Sequence, residues 1–531
     1  MAADNEPARR ESPRSVEELL EPFCTKLACP PVLSPGKRDA VDHYRVEVCA
    51  GYARLHANLP PTPLWTYAGS YPGPTIEAWR DRPASVEWVN ALTNATHPIR
   101  TFIGAAPAGG TSHARPGREP EGRWLDRAAL PPWIVTHLHG AVTPAQSDGW
   151  PDNAILPNQS TVDRYPNRQR ATMLWYHDHA MGQTAPNVYA GLAGLYIVRD
   201  EEEAALRLPS GALELPLLLQ DRNLDLDAAG ALSGALLYKL DQPLGEFYGP
   251  YTLVNGTIWP YAEVPAIPHR LRLLNGSNAR FYRLTIESDN GTPPPDGWLT
   301  LIGNDAGLLR APSPVSAPLL LAPGERLDVI ADFGACAGRT LVVWNDAPAP
   351  YPSGPANRSV VMQFRVGETD RRERVVLPAT LSTVDAPKPS AATVHRTIRL
   401  EEDPKMPGML RLNGKGFHDG VDEMPTLGDT EIWEFQNPTD DTHPMHLHLV
   451  SMQLVSRSHL NPAKPSPQPL DLSDDERSPK DVIKCHPGQA TQVAVRFEPY
   501  TGQFMYHCHL LEHEDHDMMR AYVVVAPGAA M

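Results

Sequence analysis

Apolar residues along this chain come in short runs broken by turn formers. VEWVNAL (86–92), LRLLNGS (271–277), RLDVIADF (326–333) and RTLVVWN (339–345) are typical. Runs of this kind, rich in β-branched and aromatic residues, predict strands rather than helices. The 57 prolines and 38 glycines punctuate them as turns. The pattern predicts an all-β protein built from sandwiches. At 531 residues the chain is long enough for about three domains, each with its own core.

The pattern also repeats. TMLWYHDHAMGQTAPNVYAGLAGLYIV (172–198) parallels QFMYHCHLLEHEDHDMMRAYVVV (503–525). In each, a His-x-His strand leads through a short excursion into a terminal apolar strand. THLHG (136–140) likewise parallels MHLHLV (445–450). The first and last thirds therefore read as two copies of one domain. The middle third has strand patterning but no His-x-His pair, as a degenerate spacer copy would. Charged residues after apolar strands place boundaries near Arg199–Glu203 and Val366–Arg374. The expected domains are 1–200, 201–372 and 373–531.

The chemistry is concentrated in histidine and one cysteine. The chain has 20 histidines, and His-x-His occurs at 137/139, 177/179, 446/448 and 507/509. On a strand, residues two apart point the same way, so each pair offers two imidazoles to one face. The last pair brackets Cys508, with His513 five residues and Met518 ten residues beyond the cysteine. Cysteine, two histidines and a weak axial methionine form the donor set of a blue-copper site. Cys508, His513 and Met518 are three candidates, and His443 is the fourth. Met519 offers the same side chain as Met518, and spacing favours Met518. Eight paired histidines then suggest a second, histidine-only metal cluster, joined to the first through His507 and His509. In the first copy, Asp178 stands where Cys508 stands in the last, so only the last copy can hold blue copper.

Four segments, HLHG (137–140), WYHDHAMG (175–182), HPMHLHLV (443–450) and YHCHLLEHEDHDMM (506–519), stand in the order of the multicopper oxidase (laccase) superfamily. The chain resembles that superfamily from about residue 40 to about residue 525. The likeness is greatest to bacterial spore-coat-type laccases, with phenoxazinone synthase and bilirubin oxidase as cousins. SDGWPDN, LVNGTIWPY, LRLLNGSNAR, DAGLLRAP and GDTEIWEFQNPT add to it. The resemblance implies three cupredoxin-like Greek-key β-sandwich domains, with the histidine cluster between the first and the third.

It also implies four copper ions. Type 1 copper would take His443, Cys508, His513 and axial Met518. Type 2 would take His137 and His446. The type 3 pair would take His139, His177, His179, His448, His507 and His509. Glu514 and Asp148 match acidic positions of the bacterial laccases, as proton-relay groups or groups that orient ligands. On pattern alone, Asp148 reads equally well as a turn residue in Ser147-Asp148-Gly149.

The implied reaction is one-electron oxidation of small aromatic substrates, phenols or aminophenols, coupled to four-electron reduction of dioxygen to water. Narrower variants are a bilirubin- or aminophenol-specific oxidase. The 13 methionines are scattered rather than gathered in a methionine-rich insertion, which counts against a dedicated metal-ion oxidase. The eight paired histidines count against a copper nitrite reductase. The proline- and aspartate-rich segment 457–481 either borders the substrate cleft or is an ordinary surface loop.

Bulk properties narrow the partners. Net charge is −16, from 47 basic and 63 acidic residues. That balance argues against nucleic acid and anionic membrane surfaces, and suits neutral or cationic substrates. No apolar run approaches the roughly 20 residues that cross a bilayer. The N-terminal segment lacks the apolar core of a signal peptide, so a cytoplasmic protein, or one released by another route, is expected. Cys24, Cys29, Cys49, Cys336 and Cys485 are expected as free thiols, although Cys24 and Cys29 are close enough for a small-loop disulfide.

Overall fold

A computed structural model describes residues 19–93, 96–99, 116, 131–240, 245–356, 358–368, 375–405 and 409–528, with strand backbone at 101–103 and 124–126. Most of the N-terminal segment read for a signal peptide lies outside the described residues. So does part of the charged run expected at the second boundary, at 369–374.

The expected strands form, and they pack as paired sheets. In the first third, Asp42–Ala53 runs parallel to Ala84–Asn90, which pairs with Ser160–Tyr165. Facing this sheet is a second one ordered Gly73–Trp79, Ala193–Arg199, Thr172–Asp178, Thr136–His139. Val46, Val48, Trp65, Trp88 and Tyr176 fill the space between. In the last third, a five-stranded sheet centred on Thr430–Asn437 faces a four-stranded one ordered Val482–Cys485, His443–Leu447, Gly502–Cys508, Met519–Val524. The middle third has a seven-stranded and a five-stranded sheet around its own leucine-rich core. Alternation of buried and half-buried positions, as in Ala84–Asn90, fits a sheet with one face packed on the core. The chain is all-β, with the architecture of cupredoxin-like sandwiches.

The repeat reappears as register. In both copies the terminal strand pairs antiparallel with the second His-x-His strand, and that strand with the first. His137 stands directly opposite His177, and His446 directly opposite His507.

The middle third does more than fill space. Asn278 donates to the Ala185 carbonyl of the first third at 3.1 Å and accepts the Leu511 N–H of the last third at 3.0 Å. Buried Arg326 donates to the Met173 carbonyl at 3.0 Å and to Asp481 at 2.6 Å. Each residue therefore ties the two histidine-bearing copies together.

Candidate metal centre

The four His-x-His strands bring all eight paired histidines into one fully buried group. His507 Nε2 lies 3.2 Å from His448 Nε2 and 3.3 Å from His179 Nε2, so three nitrogens meet at one point. His509 Nε2 lies 3.1 Å from His139 Nδ1, with the His177 ring 5.5 Å from that of His509. His137 and His446 each direct Nδ1 at a backbone carbonyl, Asp148 O at 2.6 Å and Asp481 O at 2.7 Å. That leaves Nε2 as the inward atom in both, buried and without a hydrogen-bond partner, as is Nε2 of His177.

Burial is the main cause that holds these imidazoles below their ordinary pKa. His177 is pushed down to about 3 and His507 to about 4. Neutral imidazoles with lone pairs turned inward form a metal-binding donor set.

A second group joins the first through the chain itself. Cys508 Sγ lies 3.5 Å from His443 Nδ1 and 3.8 Å from His513 Nδ1, and all three are buried. Burial pushes the Cys508 thiol up and the His513 imidazole down to about 3. Left alone, that thiol would keep its proton. A soft cation held by the two imidazoles reverses this, because a bound metal deprotonates its thiol ligand. The residues therefore fit a copper ion.

Met518 sits in the same core as Cys508, and its carbonyl accepts the Cys508 N–H at 3.0 Å. Met519 faces the other way, packing with Phe417 and Met505. The neighbours of Cys508, His507 and His509, belong to the eight-histidine group, so two covalent paths link the groups.

Both singled-out carboxylates are buried against these histidines. Asp148 accepts from His448 Nδ1 at 2.9 Å, while its own carbonyl takes His137. It ends a 3₁₀ turn as the pattern allows, yet it is 2% exposed, so the turn delivers it inward. Glu514 lies 3.2 Å from both His179 Nδ1 and His507 Nδ1 and accepts from Thr184 Oγ1 at 2.6 Å. Burial raises the pKa of both carboxyls well above the ordinary range. Asp178 serves the surrounding chain instead. It accepts the backbone N–H groups of Val135 and Ala180 and the Asn187 amide. A cysteine could not make those bonds.

Comparison with known proteins agrees with this chemistry. The multicopper oxidase profiles match residues 129–203 and 384–528. Laccase from Bacillus subtilis is 37% identical, over 96% of this chain and 99% of the relative. Laccase from Haloferax volcanii is 36% identical, over 96% and 86%.

The chain belongs to the multicopper oxidase family.

It is a copper oxidoreductase that uses dioxygen and a reducing substrate. The crystal structure of a laccase from Pediococcus acidilactici superimposes with a TM-score of 0.73 at 26% identity, covering 94% of this chain and 93% of that one. A multicopper oxidase from Aquifex aeolicus gives 0.71 at 27%, covering 94% and 100%.

Several further residues around the oxidase's histidines lie outside the predicted site. Asp481 contacts His139 Nε2 at 3.1 Å across 342 positions of chain and is held by Arg326. Trp175 stacks on His177 at 4.1 Å. Thr439 contacts His443 Nε2 at 2.8 Å. Glu246, from the middle third, lies 3.0 Å from His513 Nε2 and is buried. Only Trp175 was within reach of sequence reasoning: it precedes His177 by two on a strand and so shares its face. All six cysteines are free, Cys24 and Cys29 among them.

Proposed function

We propose that this oxidase is laccase-like. It takes electrons singly from phenols or aminophenols at a type 1 copper and delivers them to dioxygen at a trinuclear cluster. The observation that carries this reading is the chain segment His507-Cys508-His509, whose middle residue belongs to one metal-binding group and whose flanks belong to the other. His443, Cys508 and His513 would hold type 1 copper, with Met518 as a further, weaker donor. His137 and His446 would hold type 2 copper. His139, His177, His179, His448, His507 and His509 would hold the type 3 pair. The division 1–200, 201–372 and 373–531 follows, with both copper sites served by the outer domains.

Copper, when bound, would supply reversible one-electron redox chemistry. The protein does the rest. Asp148 holds His448, and its backbone carbonyl holds His137, fixing which ring nitrogen faces the metal. Glu514 stands against His179 and His507, and burial raises its carboxyl pKa, which favours the form that carries a proton at Oε1 or Oε2. Thr184 fixes the orientation of the Glu514 carboxyl through its hydroxyl.

The test is Cys508→Ser in copper-loaded protein. The blue charge-transfer band and the oxidase activity should both vanish, while copper held by the eight histidines stays. A surviving blue band would refute the type 1 assignment.

One observation favours a second reading, a reducing metal cation as substrate. Glu246 sets a buried carboxylate 3.0 Å from His513 Nε2, beside the type 1 group, and a carboxylate there suits a cation as well as a phenolic hydroxyl. Oxygen uptake with ferrous iron against uptake with a phenol discriminates the two.

A further inference from the structure

A cleft of about 640 Å³ opens where all three thirds of the chain meet. Junctions of this kind are common places for small-molecule sites. Arg80, Arg168 and Arg170 enter it from the first third, Ala306 from the middle third and Arg496 from the last. Its lining also carries the carboxylates of Glu202, Asp385, Asp481 and Glu498.

Every one of these carboxylates has a partner. Asp385 and Glu498 each lie 2.8 Å from Arg496. Asp481 takes both terminal nitrogens of Arg326. Glu202 accepts the Thr383 N–H at 2.9 Å. The three arginines of the first third are not matched in the same way. Among the described residues, Arg168 and Arg170 form no ion pair. Arg80 reaches Asp81 at 3.8 Å and Asp200 at 3.9 Å, both long for an ion pair. Asp200 already accepts the backbone N–H groups of Ala171 and Glu203. The unmatched charge in the cleft is therefore positive, in a chain whose net charge is −16.

The arginines are also held in place. Arg170 is half-buried and donates to Ser382 Oγ at 3.0 Å and to the Ala306 carbonyl at 2.8 Å, both neutral acceptors. Its other N–H donors remain for a ligand. Arg80 Nη1 approaches the same Asp200 oxygen that accepts the Ala171 N–H, which draws Arg80 to the backbone beside Arg170. Burial lowers the Arg170 pKa, Glu202 and Asp200 oppose this, and the like charge of Arg80 adds to it. An arginine keeps its charge in a protein all the same. This wall thus holds a guanidinium that is short of a counter-ion.

We propose that Arg80, Arg168 and Arg170 form a binding site for a phosphate group, either free phosphate or the phosphate of a small organic ester. Guanidinium forks match the oxygens of such an anion two at a time. Three cations suit a dianion better than the single charge of a carboxylate. The cleft is larger than a bare phosphate, so the organic part of an ester has room beside the arginines. The site does not depend on the assignment of the copper ligands.

Titration calorimetry of the copper-loaded protein with inorganic phosphate, at constant ionic strength, reads the binding directly. Saturable binding is expected. Arg80 and Arg168 are exposed, so Arg80→Gln/Arg168→Gln leaves the fold intact and should weaken binding about tenfold or more. Arg170→Lys keeps the charge but loses the fork, and should weaken it as well. Phosphate could also meet copper, so the copper EPR spectrum is recorded with and without it. An unchanged spectrum places the anion away from the metal. Glucose 6-phosphate binding more tightly than inorganic phosphate supports an ester as the ligand, and equal or weaker binding supports free phosphate. No saturable binding, or unchanged affinity in Arg80→Gln/Arg168→Gln, overturns the site. Acetate binding as tightly as phosphate overturns the choice of anion.

Discussion

Arg326→Met removes one guanidinium from the junction of all three domains. Arg326 is 1% exposed, donates from both terminal nitrogens to Asp481, and also donates to the carbonyls of Met173, Gly324 and Asp305. Methionine keeps much of the volume but leaves the Asp481 carboxylate buried against His139. Breaking a buried pair from one side costs about 3–5 kcal/mol. For a cooperative unit of 150–250 residues, each kcal/mol lowers Tm by roughly 2–4 °C, so the expected fall is roughly 6–20 °C. Copper binding should suffer too. Asp481 orients His139, and loss of such a partner costs about 10–100-fold in metal affinity. Calorimetry of copper-loaded protein with copper analysis measures both. The double variant Arg326→Met/Asp481→Leu removes the orphaned charge, so it should recover part of the Tm but none of the copper affinity. A single-variant Tm within about 2 °C of wild type, or a double variant less stable than the single, would refute the reasoning.

Three further outcomes are expected. Met518→Leu should keep the blue band and raise the type 1 potential, on the order of 60 mV or about 1.4 kcal/mol for one electron, because a sulfur donor that favours the oxidised ion is lost. Redox titration checks it, and a shift in Met519→Leu instead would move the ligand by one residue. Glu514→Gln keeps size but loses the proton: anaerobic bleaching by a phenol should run near the wild-type rate, while reoxidation by dioxygen in stopped flow falls by about 10²-fold or more. Slow bleaching with normal reoxidation would place Glu514 on the substrate side. Asp163 is buried with its carboxyl pushed up from 3.8 to about 7, chiefly by desolvation. A folded pKa above the unfolded one means a contribution to stability present below about pH 4 and lost as pH rises to about 7, at most roughly 4 kcal/mol. Asp163→Asn has no such loss, so its Tm advantage over wild type should grow across that window. A constant difference would show that Asp163 does not titrate there.

The candidate donors could be named from the sequence because metal chemistry is local in type and spacing. A His-x-His pair needs only a strand to aim both rings one way, and the strand itself is written in the alternation around it. Spacing from Cys508 favoured Met518 over Met519, and the structure packs the two side chains in different cores, Met518 in that of Cys508. The repeat was legible for the same reason, and its register set His137 opposite His177 and His446 opposite His507. Asp148 was ambiguous, because Ser-Asp-Gly forms a turn whether the carboxylate points to water or to His448. The 457–481 segment was ambiguous likewise: proline and aspartate describe a loop, and only the middle domain opposite makes that loop one wall of a cleft.

What the sequence determined by itself was therefore the class of chemistry: all-β sandwiches, two related outer copies, and a copper oxidase with candidate donors named by type and spacing. The tertiary structure alone decided the environment of that chemistry. Arg326 with Asp481, Glu246 against His513, and Glu514 between His179 and His507 bring together residues far apart in the chain. No local pattern can announce such pairs. Their effects on charge and proton affinity come from burial, and a side chain's burial depends on what the rest of the chain packs around it.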